Sequence, residues 1–168
     1  MQLHPIISVK SLPTGSSVTF QQSSYFSRNG PDAALPSPTE VLSRGAAADR
    51  WFKDRTHHPV VIYEALGLVV KFGKEPTVSI AERQCLWSIR RFLPRVPVPE
   101  IYGWKRHGDY TLLYMERVQG VTLEKRWDSL SRTERAGVCE QLRDIITELH
   151  RLRQDPNDRF LGGNISSI

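Results

Sequence analysis

The sequence predicts an α+β fold, a small antiparallel sheet with one helix followed by further helices, and three observations carry that expectation. "VVIYEA" (60–65) and "LVVKF" (68–72) are β-branched runs separated by Leu66-Gly67, the pattern of a hairpin. "IYGWKR" (101–106) and "YTLLYMERV" (110–118) repeat that pattern around "HGD". Beyond Gly120, apolar residues recur at Val138, Leu142, Ile145, Leu149 and Leu152, steps of four and three that make one face of a helix.

Each element follows from local chemistry. Residues 1–42 are rich in Ser, Thr, Pro and Gln and hold no lasting period, so they read as a disordered tail. The absence of acidic residues before Asp32 leaves a targeting leader as the alternative to a solvated tail. Structure is expected from residue 43, giving a lobe over 43–118 and a helical segment over 119–168. A helix over 78–93 opens on Ser79 and Glu82, which suit a capping box, and stops at Pro94. "VPVPEIYGW" (96–104) is extended, because its prolines cannot continue a helix. After a short helical piece at 123–128, Ser131 and Glu134 cap a helix expected to run to about Arg153.

Composition narrows the function classes. With 39% hydrophobic residues the chain can build a core. No apolar run approaches the roughly 18–20 residues that span a bilayer, so no membrane contact is expected. Cys85 and Cys139 lie among apolar neighbours without companions at metal-ligand spacing, which predicts buried thiols in a cytoplasmic protein and no metal site. The 23 Lys and Arg against 18 Asp and Glu give +5, compatible with an anionic ligand. Because the cations scatter along the chain from Arg44 to Arg159, nucleic acid is not the expected partner.

"LVVKFG" carries the first functional signal. On a strand, Val69 and Lys71 share one face, while Leu68, Val70 and Phe72 take the other. A lysine among apolar neighbours needs a partner, and Glu82 in the following helix is a suitable one. By itself Lys71 reads equally well as an edge-strand lysine whose stem reaches to water.

"LLYMERVQG" is the second signal and resembles a protein-kinase hinge. Taken together, "LVVKFG", Glu82, "VPVPEIYGW", "YMERVQGVTLEKRW" and the long helix are similar to the fungal branch of the aminoglycoside phosphotransferase family, over about residues 55–160. That resemblance implies a protein-kinase-like small lobe followed by the first helices of a truncated helical lobe. It implies that Lys71 contacts ATP phosphates with Glu82 as its helix partner. It also implies that Val69 roofs the adenine, that Met115 is the gatekeeper, and that Glu116 and Val118 offer backbone groups to the base. The stretch "RGAAADR" (44–50) is what lies where a glycine-rich loop belongs.

The family's catalytic loop reads His-Gly-Asp with an Asn five residues after the Asp. Here Tyr114 occupies that place after Asp109, and "HGD" precedes the hinge, so Gly108-Asp109 reads as a hairpin connection. Asp155 and Asp158 read as solvated loop residues. The expectation is a truncated ATP-dependent small-molecule phosphotransferase, inactive alone, with Mg²⁺ engaged only if the missing lobe is supplied. The alternative is a pseudokinase-like binding module. It would dock a protein partner or a second copy through Val138, Leu142, Ile145, Leu149 and Leu152.

Overall fold

The computed structural model describes residues 5–30, 32–47 and 60–158. In chain order these form β1 (Ile6–Ile7), β2 (Ser17–Thr19), α1 (Ser24–Asn29), α2 (Pro38–Ala47), β3 (Val60–Tyr63), β4 (Leu68–Gly73) and α3 (Ile80–Phe92). Then come β5 (Ile101–His107), β6 (Tyr110–Glu116), α4 (Leu123–Arg126), α5 (Arg132–Leu149) and β7 (Arg153–Gln154). The fold is α+β, with a five-stranded antiparallel sheet in the order β2-β5-β6-β4-β3. A separate pair joins β1 to β7 in parallel.

Strand alternation splits the sheet into two unlike faces. On one, Leu68, Val70 and Phe72 of β4 meet Tyr102, Leu112 and Tyr114, and all six are fully buried. The cover for this face comes from α1, α2 and the segment between them, through Tyr25, Phe26, Leu35 and Val41. On the other face Ile101, Trp104 and Leu113 pack with Val78 and, from α3, with Leu86 and Trp87. A bulge at Ile101–Gly103 puts Tyr102 on the first face while Ile101 and Trp104 serve the second.

The expected tail over 1–42 is a correction. Its described residues are built into the lobe: β2 pairs with β5, the Tyr25 hydroxyl donates to the Ala34 carbonyl at 2.9 Å, and the Tyr114 hydroxyl donates to the Pro36 carbonyl at 2.9 Å. The segment has no period because it is a series of short pieces, each anchored by one or two side chains. Aromatic and aliphatic anchors spaced this irregularly leave no mark on a periodicity reading.

Other boundaries moved for local reasons. β3 ends at Tyr63, because Glu64–Leu66 tighten into a 3₁₀ turn closed by Gly67 at φ 58°. α3 starts at Ile80 with Ser79 as its N-cap, but only half of the capping box forms. Ser79 Oγ accepts from the Glu82 N–H at 3.0 Å, while the Glu82 carboxylate is engaged elsewhere. The full box forms at α5, where Ser131 N–H donates to Glu134 Oε2 at 2.7 Å and Glu134 N–H donates to Ser131 Oγ at 3.3 Å. α5 stops at Leu149 rather than near 153, because Arg153 and Gln154 leave to pair with β1. Cys85 and Cys139 are exposed rather than buried, each on the outward side of its helix. No helix among the described residues is long and apolar enough to cross a membrane.

Candidate functional site

Sheet register places three of the six sequence-predicted site residues on one face, and α3 brings a fourth, Glu82, to it. Val69 lies opposite Met115 and Lys71 opposite Leu113, so Val69, Lys71, Met115 and Leu113 project the same way, toward α3. The same row continues to β5, where Trp104 is opposite Leu113. α3 lies across this row and carries Glu82, whose Oε1 accepts from Lys71 Nζ at 2.6 Å.

This pair is half withdrawn from water. The Lys71 side chain is 13% exposed and that of Glu82 31%. β4 has neighbours on both sides, β3 and β6, so Lys71 is not an edge-strand lysine reaching to solvent. An ammonium so enclosed is costly to bury without a counter-charge, and Glu82 is that counter-charge. The ammonium carries three N–H groups and spends one on Glu82 Oε1, leaving donors for a further anionic partner.

Glu116 and Val118 are not brought to the pair. The Glu116 side chain takes the opposite face from Met115, and its carboxylate accepts from the Glu100 N–H at 3.1 Å. Its own N–H donates to the Glu100 carbonyl at 2.8 Å. Arg117 extends the ladder one step, its N–H donating to the Gly67 carbonyl at 3.0 Å and its guanidinium meeting Glu64 at 2.8 Å. Val118 is exposed, and its N–H donates to nothing among the described residues.

Gly108-Asp109 is the two-residue connection between β5 and β6, closed by His107 opposite Tyr110, with Gly108 at φ 58°. Asp109 Oδ2 is 3.0 Å from Lys74 Nζ, and both side chains are exposed. In place of the glycine-rich loop looked for at 44–50, residues 44–47 are the end of α2, and 48–50 lie outside the described residues. Gly45 serves packing there, since a Cβ would meet the Phe72 ring at 2.4 Å. Asp155 and Asp158 sit in the turn after β7; Asp158 Oδ2 accepts from the Val9 N–H at 2.6 Å, so it ties the turn to the N-terminal segment. Among the described residues, no group of three or more His, Cys, Asp or Glu side chains is placed to hold a metal ion.

The stripe assigned to docking is narrower than expected. Val138, Ile145, Leu149 and Leu152 are half-buried, and Leu152 lies beyond the end of α5. The exposed apolar pair is Leu142, at 46%, and Ile146, at 51%. Ile146 was missed because a strict four-three count passes over it.

Two surface hollows lie away from Lys71. One, of about 460 Å³, runs between Arg95 and Pro97 and the α5 residues Asp144 and Glu148. The other, of about 240 Å³, lies between the 13–16 segment and the start of α3, with Arg83 and Arg106 in its wall. Sequence reasoning passed over Arg83, whose only signal was its place beside Glu82 in "AERQ". Compared with protein-family models, curated proteins and solved structures, the chain matches none.

Proposed function

We propose that this chain carries the nucleotide-contacting part of an ATP-dependent phosphotransferase of the protein-kinase-like class, akin to the aminoglycoside phosphotransferase family. The observation that carries the reading is the Lys71–Glu82 pair at 2.6 Å, joining a central strand to the helix that follows it. In kinases such a pair holds the lysine against the α- and β-phosphates of ATP. Two further features support it. Met115 sits directly opposite Val69, two residues along the strand from Lys71. The chain leaves the sheet at Glu116 with Val118 exposed, where a purine edge could meet backbone groups.

In this reading Glu82 orients Lys71, and Lys71 neutralises phosphate charge. Val69 and Met115 bound the base. Neither a general base nor a metal ligand is assigned. The function assigned to these residues is therefore nucleotide binding.

The test is a thermal-shift titration with ATP on the wild type and on Lys71→Met. Binding to the folded state alone adds RT ln(1 + [ATP]/Kd), about 2.7 kcal/mol at a hundred times Kd. The wild type should gain stability with ATP and the variant should not. An equal response in both proteins, or none at millimolar ATP in the wild type, overturns the proposal. Asp109→Asn should leave the ATP response unchanged.

A second reading, a pseudokinase-like module that docks a protein partner or a second copy through α5, is favoured by the exposure of Leu142 and Ile146 one turn apart. Light scattering after size exclusion decides its self-association form. A dimer that Leu142→Ser returns to monomer supports it, and a monomeric wild type removes it.

A further inference from the structure

Arg83 is the anomaly of α3. It is 6% exposed, and its guanidinium lies 5.0 Å from the centroid of the Trp104 ring. Its Nε is shielded from solvent without a hydrogen-bond partner. Among the described residues the guanidinium enters no hydrogen bond and no ion pair; the Trp104 face is its one polar contact. Buried arginines are ordinarily paired, because an enclosed charge without a partner is costly.

The surroundings hold charge of both signs, and neither sign is in contact with the Arg83 guanidinium among the described residues. Burial lowers the Arg83 pKa, Glu75 opposes that shift, and neighbouring Arg106 adds to it. Glu75 is already engaged, since its Oε1 accepts from the Ile80 N–H at 3.2 Å. Arg106 Nε donates to the Gly108 carbonyl at 3.3 Å, and its guanidinium forms no ion pair among the described residues.

The segment facing both arginines turns three of its four carbonyls inward. The Pro13 carbonyl accepts from Gln84 Nε2 at 3.3 Å, the Gly15 carbonyl from Trp104 Nε1 at 3.0 Å, and the Ser16 carbonyl from the Arg106 N–H at 2.8 Å. The N–H groups of Thr14, Gly15 and Ser16 donate to nothing among the described residues. Gly15 holds a φ of 116°, which glycine adopts without strain. Between this segment and the two arginines lies the cleft of about 240 Å³.

We propose that this cleft binds a phosphate group, that of inorganic phosphate or of a small phosphomonoester, between the guanidiniums of Arg83 and Arg106 and the 14–16 segment. A guanidinium offers a planar fork of donors that matches two oxygens of a tetrahedral oxyanion. Two such forks and a run of unused amides make the mouth rich in donors. An occupying phosphate supplies the counter-charge that Arg83 lacks. The site is separate from Lys71, since Arg83 reaches Trp104 on β5 while Glu82 reaches β4.

Isothermal titration calorimetry on the full chain tests this, with inorganic phosphate and phenyl phosphate as probes and chloride at matched ionic strength as control. Saturable binding at one site is expected, and the tighter of the two probes tells free phosphate from an ester. Arg106→Ala removes charge-assisted hydrogen bonds from an exposed side chain and should weaken binding about tenfold. Arg83→Met keeps a stem over Trp104 and should abolish binding. Glu75→Gln should tighten it, and Lys71→Met should leave it unchanged, which separates this site from the nucleotide one. If circular dichroism shows Arg83→Met unfolded, Arg106→Ala decides alone. Heats no larger than those with chloride, or undiminished affinity in Arg106→Ala, overturn the proposal, as does loss of binding in Lys71→Met.

Discussion

Leu68, Val70 and Phe72 on β4 are fully buried, whereas α5 has no buried residue among its 18. The sheet is held by apolar area taken out of water, on both faces and from distant parts of the chain. α5 is held by a capping box at Ser131, by half-buried contacts, and by the Arg95–Glu148 ion pair at 3.7 Å, in which Arg95 is largely exposed. Surface pairs of that kind contribute little. The contrast teaches that the longest helix is a weakly attached unit, able to open without disturbing the sheet.

The largest test of that contrast is Phe72→Ala. It removes a fully buried ring from the first face and should cost about 3–5 kcal/mol, read by urea denaturation. A loss below about 1 kcal/mol would show that this face is not the core. Next is Gly103→Val, where a Cβ would stand 2.4 Å from the Val18 carbonyl oxygen, a backbone atom. It should cost about 1–3 kcal/mol and free β2 from β5, seen as faster hydrogen exchange at Phe20, whose N–H donates to the Tyr102 carbonyl at 2.9 Å. Unchanged exchange there would mean that β2 is not held by this close approach.

Ser131→Ala should cost about 1 kcal/mol, confined to α5. Hydrogen exchange along 132–149 should quicken while the urea midpoint of the sheet stays fixed; movement of both together would break the contrast. Acid should act in the same direction. Hydrogen bonds from Ser131, backbone first and then hydroxyl, hold the Glu134 carboxyl below its ordinary pKa. A lowered folded pKa means that this contribution is complete above the unfolded pKa and fades as pH falls through the folded one. The start of α5 should therefore loosen on acidification, and Glu134→Gln should remove that dependence. Smallest is Leu142→Ser, expected to change stability by less than about 0.5 kcal/mol, since its side chain is already in water.

What the sequence disclosed follows the same division. β4, β5, β6, α3 and the cap of α5 were legible because each is set by neighbours in sequence: β-branched runs, Ser79, Pro94, Ser131 with Glu134. Lys71 with Glu82 was legible because strand alternation and one following helix suffice to bring them together. The N-terminal anchors were not, since Tyr25 and Tyr114 acquire meaning only through carbonyls at Ala34 and Pro36 that local patterning does not mark. Arg83 stayed hidden for a related reason. Its character lies in what fails to surround it, and a missing partner leaves no trace in the order of residues.

β1 and β7 set an order of assembly. Ile6 pairs with Arg153 and Ile7 with Gln154, and the Val9 N–H reaches Asp158 Oδ2 at 2.6 Å. During synthesis from the N-terminus, β2 finds its neighbour as soon as β5 exists, but β1 must wait for the far side of α5. Closing so long a loop costs entropy that grows only slowly with its length, while a two-residue ladder returns little against it. This seam is therefore the last to close and the first to part, and it makes the fastening of α5 depend on the earliest described residues to be made.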